Sequence, residues 1–198
     1  VLVSVRAKAG EKPNVILIMC DDLGWGDVGF NGGTHIRTPH LDEMAANSLN
    51  LTRFYAQAPV CSPTRASVVT GRHHDRTGIY TANNGHLREG EFTIYEALSS
   101  VGYATGHFGK WHLNGHFNSD KQPQPNDHGY DHWMATQNNA APNHKNPKNF
   151  VLNGKEMGLL EGFSAPLVAT EGIRWLKEDR DKEKPFLLSV WTHEPHLP

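Results

Sequence analysis

Four short stretches of the chain hold residues whose types and spacing could do chemistry. Cys61-Ser62-Pro63-Thr64-Arg65 runs on through Ala66 to Gly71, and Pro63 suits the first turn of a helix, where its missing N–H costs little. The free N–H groups and positive dipole end of that turn favour an anion beside Cys61, and Arg65 adds a permanent charge with a planar fork suited to oxyanions. A free or disulfide-bonded cysteine at an ordinary loop-to-helix junction fits these five residues about as well. Asp21-Asp22 are adjacent carboxylates whose repulsion needs compensating, by solvent at an exposed turn or by a divalent cation. In Gly109-Lys110-Trp111-His112 the lysine and histidine lie two apart, so in extended chain both side chains point to one side. A solvated lysine beside a packed histidine is the plainer alternative. His196 stands between Pro195 and Leu197-Pro198, with His193 as the nearer rival.

Stepping outward, three apolar runs must carry these groups. Val15–Cys20 is short and rich in branched residues, the pattern of a strand buried on both faces, and it ends at Asp21-Asp22. Tyr103–Phe108 reads as a strand leading into Lys110 and His112, and Pro185–Thr192 as a strand leading to His193 and His196. A parallel sheet gathers its strand ends on one edge, so these groups converge there with Cys61. The fold expected is therefore α/β, a mostly parallel sheet with helices on both faces. Thr38-Pro39 starts a helix with Leu41, Met44, Ala45 and Leu49 at near-helical spacing. Leu51–Gln57 alternates like a strand and feeds the Cys61 stretch, while Arg72–Asn84, with His73 and His74, reads as a loop to which no role is assigned. Phe92–Val101 reads as a helix stopped by Gly102, and Ser164–Lys177 as a helix capped by Ser164. Between them residues 113–162 are rich in Asn, Pro, His and Gly without apolar periodicity, a length that is usually functional or disordered. Here it is expected to shape a substrate pocket, with Asn153-Gly154 turning a hairpin.

With 198 residues and a net charge of −2, the chain is long enough for one cored domain and has no basic run, which excludes a nucleic-acid footprint. No apolar run reaches the length of a membrane span. Two cysteines make no disulfide scaffold, and Cys20, in a strand-like run, suits a buried thiol. Residues 1–12 read as a flexible start, and Ala7-Lys8-Ala9 fits the tail of a cleaved signal, which points to a periplasmic or secreted protein.

Taken together, the motifs resemble those of the type I, formylglycine-dependent sulfatases. The likeness lies in C-x-P-x-R followed by T-G at Cys61, in D-D-x-G-x-x-D at Asp21–Asp27, in T-P-x-L-D at Thr38–Asp42 and in G-K-W-H at Gly109–His112. Gly129-Tyr130-Asp131-His132-Trp133 and P-H-x-P at Pro195–Pro198 complete it, from about residue 13 to the last; Thr64 departs from the usual Ser or Ala. The resemblance implies an alkaline-phosphatase-like fold, incomplete here, with residues 1–198 as the N-terminal portion of a longer catalytic domain. It implies that Cys61 is converted to formylglycine (3-oxoalanine) by the formylglycine-generating enzyme. Asp21, Asp22 and residue 61 would then bind Ca²⁺, with Mg²⁺ as the alternative, and Arg65, Lys110 and His196 would contact the sulfate. His112 would act as a base. A remaining C-terminal part would supply two further metal ligands, an Asp-Asn pair, and another lysine. The implied reaction is hydrolysis of a sulfate ester, and the polar 113–162 region favours a saccharide. A phosphonate or phosphate monoester hydrolase would use the same residues. A non-catalytic sulfate- or metal-binding fragment is the reading from another class.

Overall fold

A computed structural model describes residues 12–198, so the expected flexible start and cleaved-signal tail lie, but for Lys12, outside the described residues. Six strands form one sheet: β1 (Val15–Asp21), β2 (Ala104–Lys110), β3 (His132–Thr136), β4 (Val151–Leu152), β5 (Lys155–Glu156) and β6 (Phe186–Pro195). Their spatial order is β1-β6-β2-β3-β4-β5. The first four neighbours run parallel, and β4 and β5 add an antiparallel hairpin. Asn153 (φ 47°) and Gly154 (φ 86°) turn that hairpin, the paired positive φ values for which Asn-Gly is suited.

Alternation along β6 explains the two-faced core. Leu187 and Trp191 point to one side, against Ala66, Val69 and Tyr95. Phe186 and Leu188 point to the other, against Phe108, Val168 and Trp175. Helix α2 (Cys61–Thr70) and helix α4 (Ile94–Ser99) thus cover the first face, and α5 (Ser164–Arg174) covers the second. The α/β sheet with helices on both faces is what the strand runs implied.

Several local readings change. Among the described residues β1 is an edge strand buried on one face: Val15, Leu17 and Met19 join the core, while Ile16 and Ile18 are exposed, because α5 packs chiefly across β6 and β2. Leu51–Gln57 forms no strand; it runs as exposed irregular chain with no neighbouring strand to pair with. Helix α1 (Pro39–Ala46) ends before Leu49, and the Arg72–Asn84 stretch contains one helical turn, α3 (His74–Thr77). α4 starts later than expected, because Thr93 caps it and Glu96 closes a capping box. Ser164 is the first helical residue of α5, not its cap, and its Oγ donates to Glu194 Oε1 at 2.6 Å. Residues 113–162 are not structureless, since β3 lies within them, paired in parallel with β2.

Candidate active site

The bulge in β6 builds the site. Met19 pairs with Trp191 but Asp21 with Pro195, so β6 takes four steps where β1 takes two. The extra residues carry His196 beside Asp21, where its backbone N–H donates to Asp21 O at 2.9 Å. After β1 the chain turns sharply through Asp22 (φ 63°). Side chains pin that turn. Gly24 N–H donates to Asp27 Oδ2 at 2.8 Å, while Gly29 N–H and Phe30 N–H donate to Thr38 Oγ1 and Asp42 Oδ1, each at 2.8 Å. The Asp27, Thr38 and Asp42 motif positions are therefore structural braces for the Asp21-Asp22 loop.

Cys61 is the first residue of α2, following Val60 in extended conformation, and Thr64 Oγ1 donates to Ala58 O at 2.6 Å to anchor the approach. Arg65, one turn on, is buried. Its guanidinium donates to Lys110 O at 2.7 Å, stands 3.3 Å from Asp21 Oδ1 and lies over the Trp191 ring, 5.1 Å from its centroid. Lys110, last residue of β2 and fully buried, donates from Nζ to Asp21 Oδ2 at 2.6 Å and to Asn139 Oδ1 at 2.9 Å, with Cys61 Sγ at 3.6 Å. A carboxylate oxygen of Asp21, Sγ of Cys61 and a ring nitrogen of His196 all lie within 4.8 Å of one another. The Asp22 carboxylate is exposed and 3.6 Å from His196 Nε2. A cavity of about 170 Å³ opens here between the end of β1 and the start of α2. A larger hollow, about 480 Å³ and lined by Asn118, Gln124, Trp133 and Asn153, contains none of the seven residues proposed for the chemistry, although Asp131 and Trp133 of the 129–133 motif line it.

Charge is balanced tightly. Burial alone would raise the Asp21 carboxyl, but Arg65 beside it and the Lys110 hydrogen bond outweigh burial and hold it below the usual carboxylate range. Burial pushes the Cys61 thiol up, with Asp21 adding to the effect against Lys110, so an unmodified Cys61 is a protonated thiol and a poor nucleophile. His112 is depressed to about 3 by burial, with Lys110 and Arg65 adding to it. Its backbone sits at φ 53°, and Nε2 contacts Asn83 Oδ1 at 2.8 Å.

All seven residues singled out from sequence thus lie around one strand-end edge. His193 does not join them at the mouth: it is buried behind, its Nε2 2.7 Å from Thr136 Oγ1. Sequence reasoning missed Asn139, which bridges Lys110 to the end of the chain through a 3.1 Å bond from Nδ2 to Leu197 O. It also missed Asn83 and Trp191. The two asparagines sit in polar strings with no periodicity, and Trp191 carried a signal only through its alternation with Leu187 and Ser189.

The ends of the parallel strands thus gather two carboxylates, a helix-N-terminal cysteine and two buried cationic side chains. The chain belongs to the sulfatase family, whose family model matches residues 13–198, and it has the alkaline-phosphatase-like fold of the solved sulfatases. N-acetylgalactosamine-6-sulfatase of Sus scrofa is 34% identical over 220 residues, covering 96% of this chain and 41% of that protein. Among solved structures, Ps i-CgsB superposes with a TM-score of 0.84 at 28% identity, covering 95% of this chain and 46% of that one. BT4656, solved with its substrate D-glucosamine-2-N,6-O-disulfate, superposes with a TM-score of 0.78 at 28% identity, covering 94% and 35%. The chain therefore spans less than half the length of each of these relatives.

Proposed function

We propose that this chain is the N-terminal portion of the catalytic domain of a sulfuric ester hydrolase acting on a sulfated saccharide. The observation that carries this is the placement of Cys61 at the first position of α2, with Lys110 Nζ 3.6 Å from its sulfur and Arg65, Asp21 and His196 around it. Family membership and the saccharide named for BT4656 support the substrate class. Once oxidised by the formylglycine-generating enzyme, residue 61 would offer an aldehyde hydrate, one hydroxyl to attack sulfur and a second whose deprotonation expels sulfate. Asp21 and residue 61, whose ligand atoms lie within 4.8 Å of each other, would hold a hard divalent cation, Ca²⁺ or Mg²⁺, together with the exposed Asp22 carboxylate, and that ion would supply Lewis-acid polarisation of a sulfate oxygen.

The chain's own groups do the rest. Lys110 and Arg65 are fixed before substrate arrives, so their charge meets the sulfate oxygens without reorganisation. His196 adds a ring nitrogen at the mouth. His112 accepts the proton: it is neutral in the free site, and an incoming anion favours its protonated form. On the family resemblance, further metal ligands and another lysine would come from outside these 198 residues. No helix among the described residues is long and apolar enough to cross a membrane. The test is the mass of the tryptic peptide containing residue 61, from full-length protein made with the maturation enzyme present. The expected product is an aldehyde that reacts with a hydrazide probe. A peptide found only as a thiol in protein that still hydrolyses sulfate esters overturns the formylglycine reading, and turnover of phosphate monoesters alone overturns the reaction.

A further inference from the structure

His112 and Asn83 are joined side chain to side chain, and the surrounding donors dictate which way the proton lies. Asn83 Oδ1 receives Asn138 Nδ2 at 3.2 Å as well as His112 Nε2 at 2.8 Å. An amide oxygen only accepts, so His112 Nε2 must carry the hydrogen. The lone pair is then on Nδ1, which is buried and has no hydrogen-bond partner. Both residues sit in left-handed backbone, Asn83 at φ 60° and His112 at φ 53°, so two strained turns face each other to make this one contact. Asn83 is the second residue of the two-residue turn closed by the backbone bridge between Thr81 and Asn84. Its own surface is exposed, so its value to the core is small.

We propose that Asn83 is a positioning residue for His112: it holds the proton on Nε2 and leaves Nδ1 as the atom that accepts a proton from the reacting group. The proposal deepens the sulfatase reading, in which the hydroxyl of residue 61 gives its proton to His112 as the bond to sulfate breaks. The tautomer itself stands without that reading. A ring held by one good acceptor keeps one tautomer; loss of the partner that orients a metal-bound histidine costs about 10–100-fold in metal affinity or activity, and a loss on that scale is expected for this base.

Full-length protein containing this chain, labelled with ¹⁵N-histidine, tests it directly, with the His112 signals assigned by their loss in His112→Gln. The expected spectrum shows a protonated Nε2 and an unprotonated Nδ1. Asn83→Gly, which keeps the left-handed turn without the amide, is expected to mix the two tautomers, and Asn83→Asp, which keeps an acceptor oxygen, to retain the single one. In kinetics on a sulfate ester, Asn83→Gly should lower kcat by about 10–100-fold with KM within about twofold, and Asn83→Asp should restore most of it. A wild-type His112 protonated on Nδ1, or an unchanged tautomer in Asn83→Gly, overturns the proposal whether or not the protein hydrolyses sulfate. A protein with the expected tautomers but no sulfate ester turnover would instead overturn the reaction and leave the positioning role standing.

Discussion

Lys110 Nζ and Asp21 Oδ2 meet at 2.6 Å although their strands are not neighbours: β6 lies between β1 and β2. Strand spacing of about 4.8 Å puts the two backbones roughly 10 Å apart, a gap that a four-carbon lysine stem spans only when it lies across the end of β6. Both groups are buried, so the pair holds two strand ends together while leaving a cation beside residue 61.

Replacing Lys110 by Met should therefore do two things at once. The Asp21 carboxyl keeps only Arg65, so its pKa rises back toward the ordinary carboxylate value, and stability falls by about 3 kcal/mol because a buried charge loses a partner. Activity should fall by at least about a hundredfold, since the same ammonium faces the reacting group. Lys110→Arg should not rescue it, because a planar fork cannot reach Asp21, Asn139 and residue 61 from one point. Chemical denaturation and kcat on the full-length protein check both effects, and a stable, active Lys110→Met would remove the pair from the mechanism.

Gly109 has to be glycine. Its φ is +119°, and a Cβ there would lie 1.8 Å from the carbonyl oxygen of Trp191 on β6. Strands β2 and β6 approach this closely just before Lys110, so Gly109→Ala must either push β6 away or tilt the end of β2. A loss of at least about 3 kcal/mol, or failure to fold, is expected. Gly90→Ala, where nothing lies within 4 Å, is the control and should change stability by less than about 0.5 kcal/mol. Equal effects at the two positions would refute the close-approach argument.

The Asp21-Asp22 pair predicts metal-linked stability. A ligand that binds only the folded protein at a hundred times its Kd adds about 2.7 kcal/mol. Calcium titrated into chelator-treated full-length protein should raise Tm and activity together, and Asp22→Asn should weaken both responses. Asp22 is the better choice for this test, because its carboxylate is exposed and Asp21 also carries the Lys110 and Arg65 pairs. A Tm indifferent to calcium and magnesium in the wild type would remove the cation from residues 21 and 22.

How much of this could be read beforehand follows from where each signal lives. The strand ends were legible because buried parallel strands leave dense apolar runs, and a charged pair after such a run has few neutral explanations. The one-sided burial of β1 was not, since Ile16 and Ile18 look alike whether or not a helix covers them. β3 was hidden because its five residues sit among asparagines and prolines, and only pairing with β2 makes them a strand. Leu51–Gln57 failed in the opposite sense, having the alternation without a partner. Asn139 and Asn83 act through single contacts to residues far along the chain, which no local pattern announces.

Acid stability should depend on a histidine outside the site. His107 on β2 is fully buried, with its Nδ1 2.8 Å from Ser189 Oγ, and burial, with Arg65 and His193 adding to it, lowers its pKa to about 3. In the unfolded chain a histidine titrates near 6.5. The folded value is the lower one, so between those two pH values the unfolded state binds the extra proton and stability falls as pH falls. The contribution is complete above about pH 6.5 and declines by up to about 1.4 kcal/mol per pH unit, or roughly 2 kcal/mol by pH 5. His112 and His193, also held near 3, add their own slopes in the same direction. His107→Gln keeps a side-chain hydrogen bond to Ser189 within reach and cannot take the proton. It should reduce the loss of stability between about pH 6.5 and 5 by up to about 2 kcal/mol, with the other buried histidines keeping their share, measured by urea denaturation of the full-length protein. Parallel pH profiles for wild type and His107→Gln would mean that His107 is protonated in the fold, and that this part of the core is wetter than its packing against Trp111, Tyr130 and Trp191 implies.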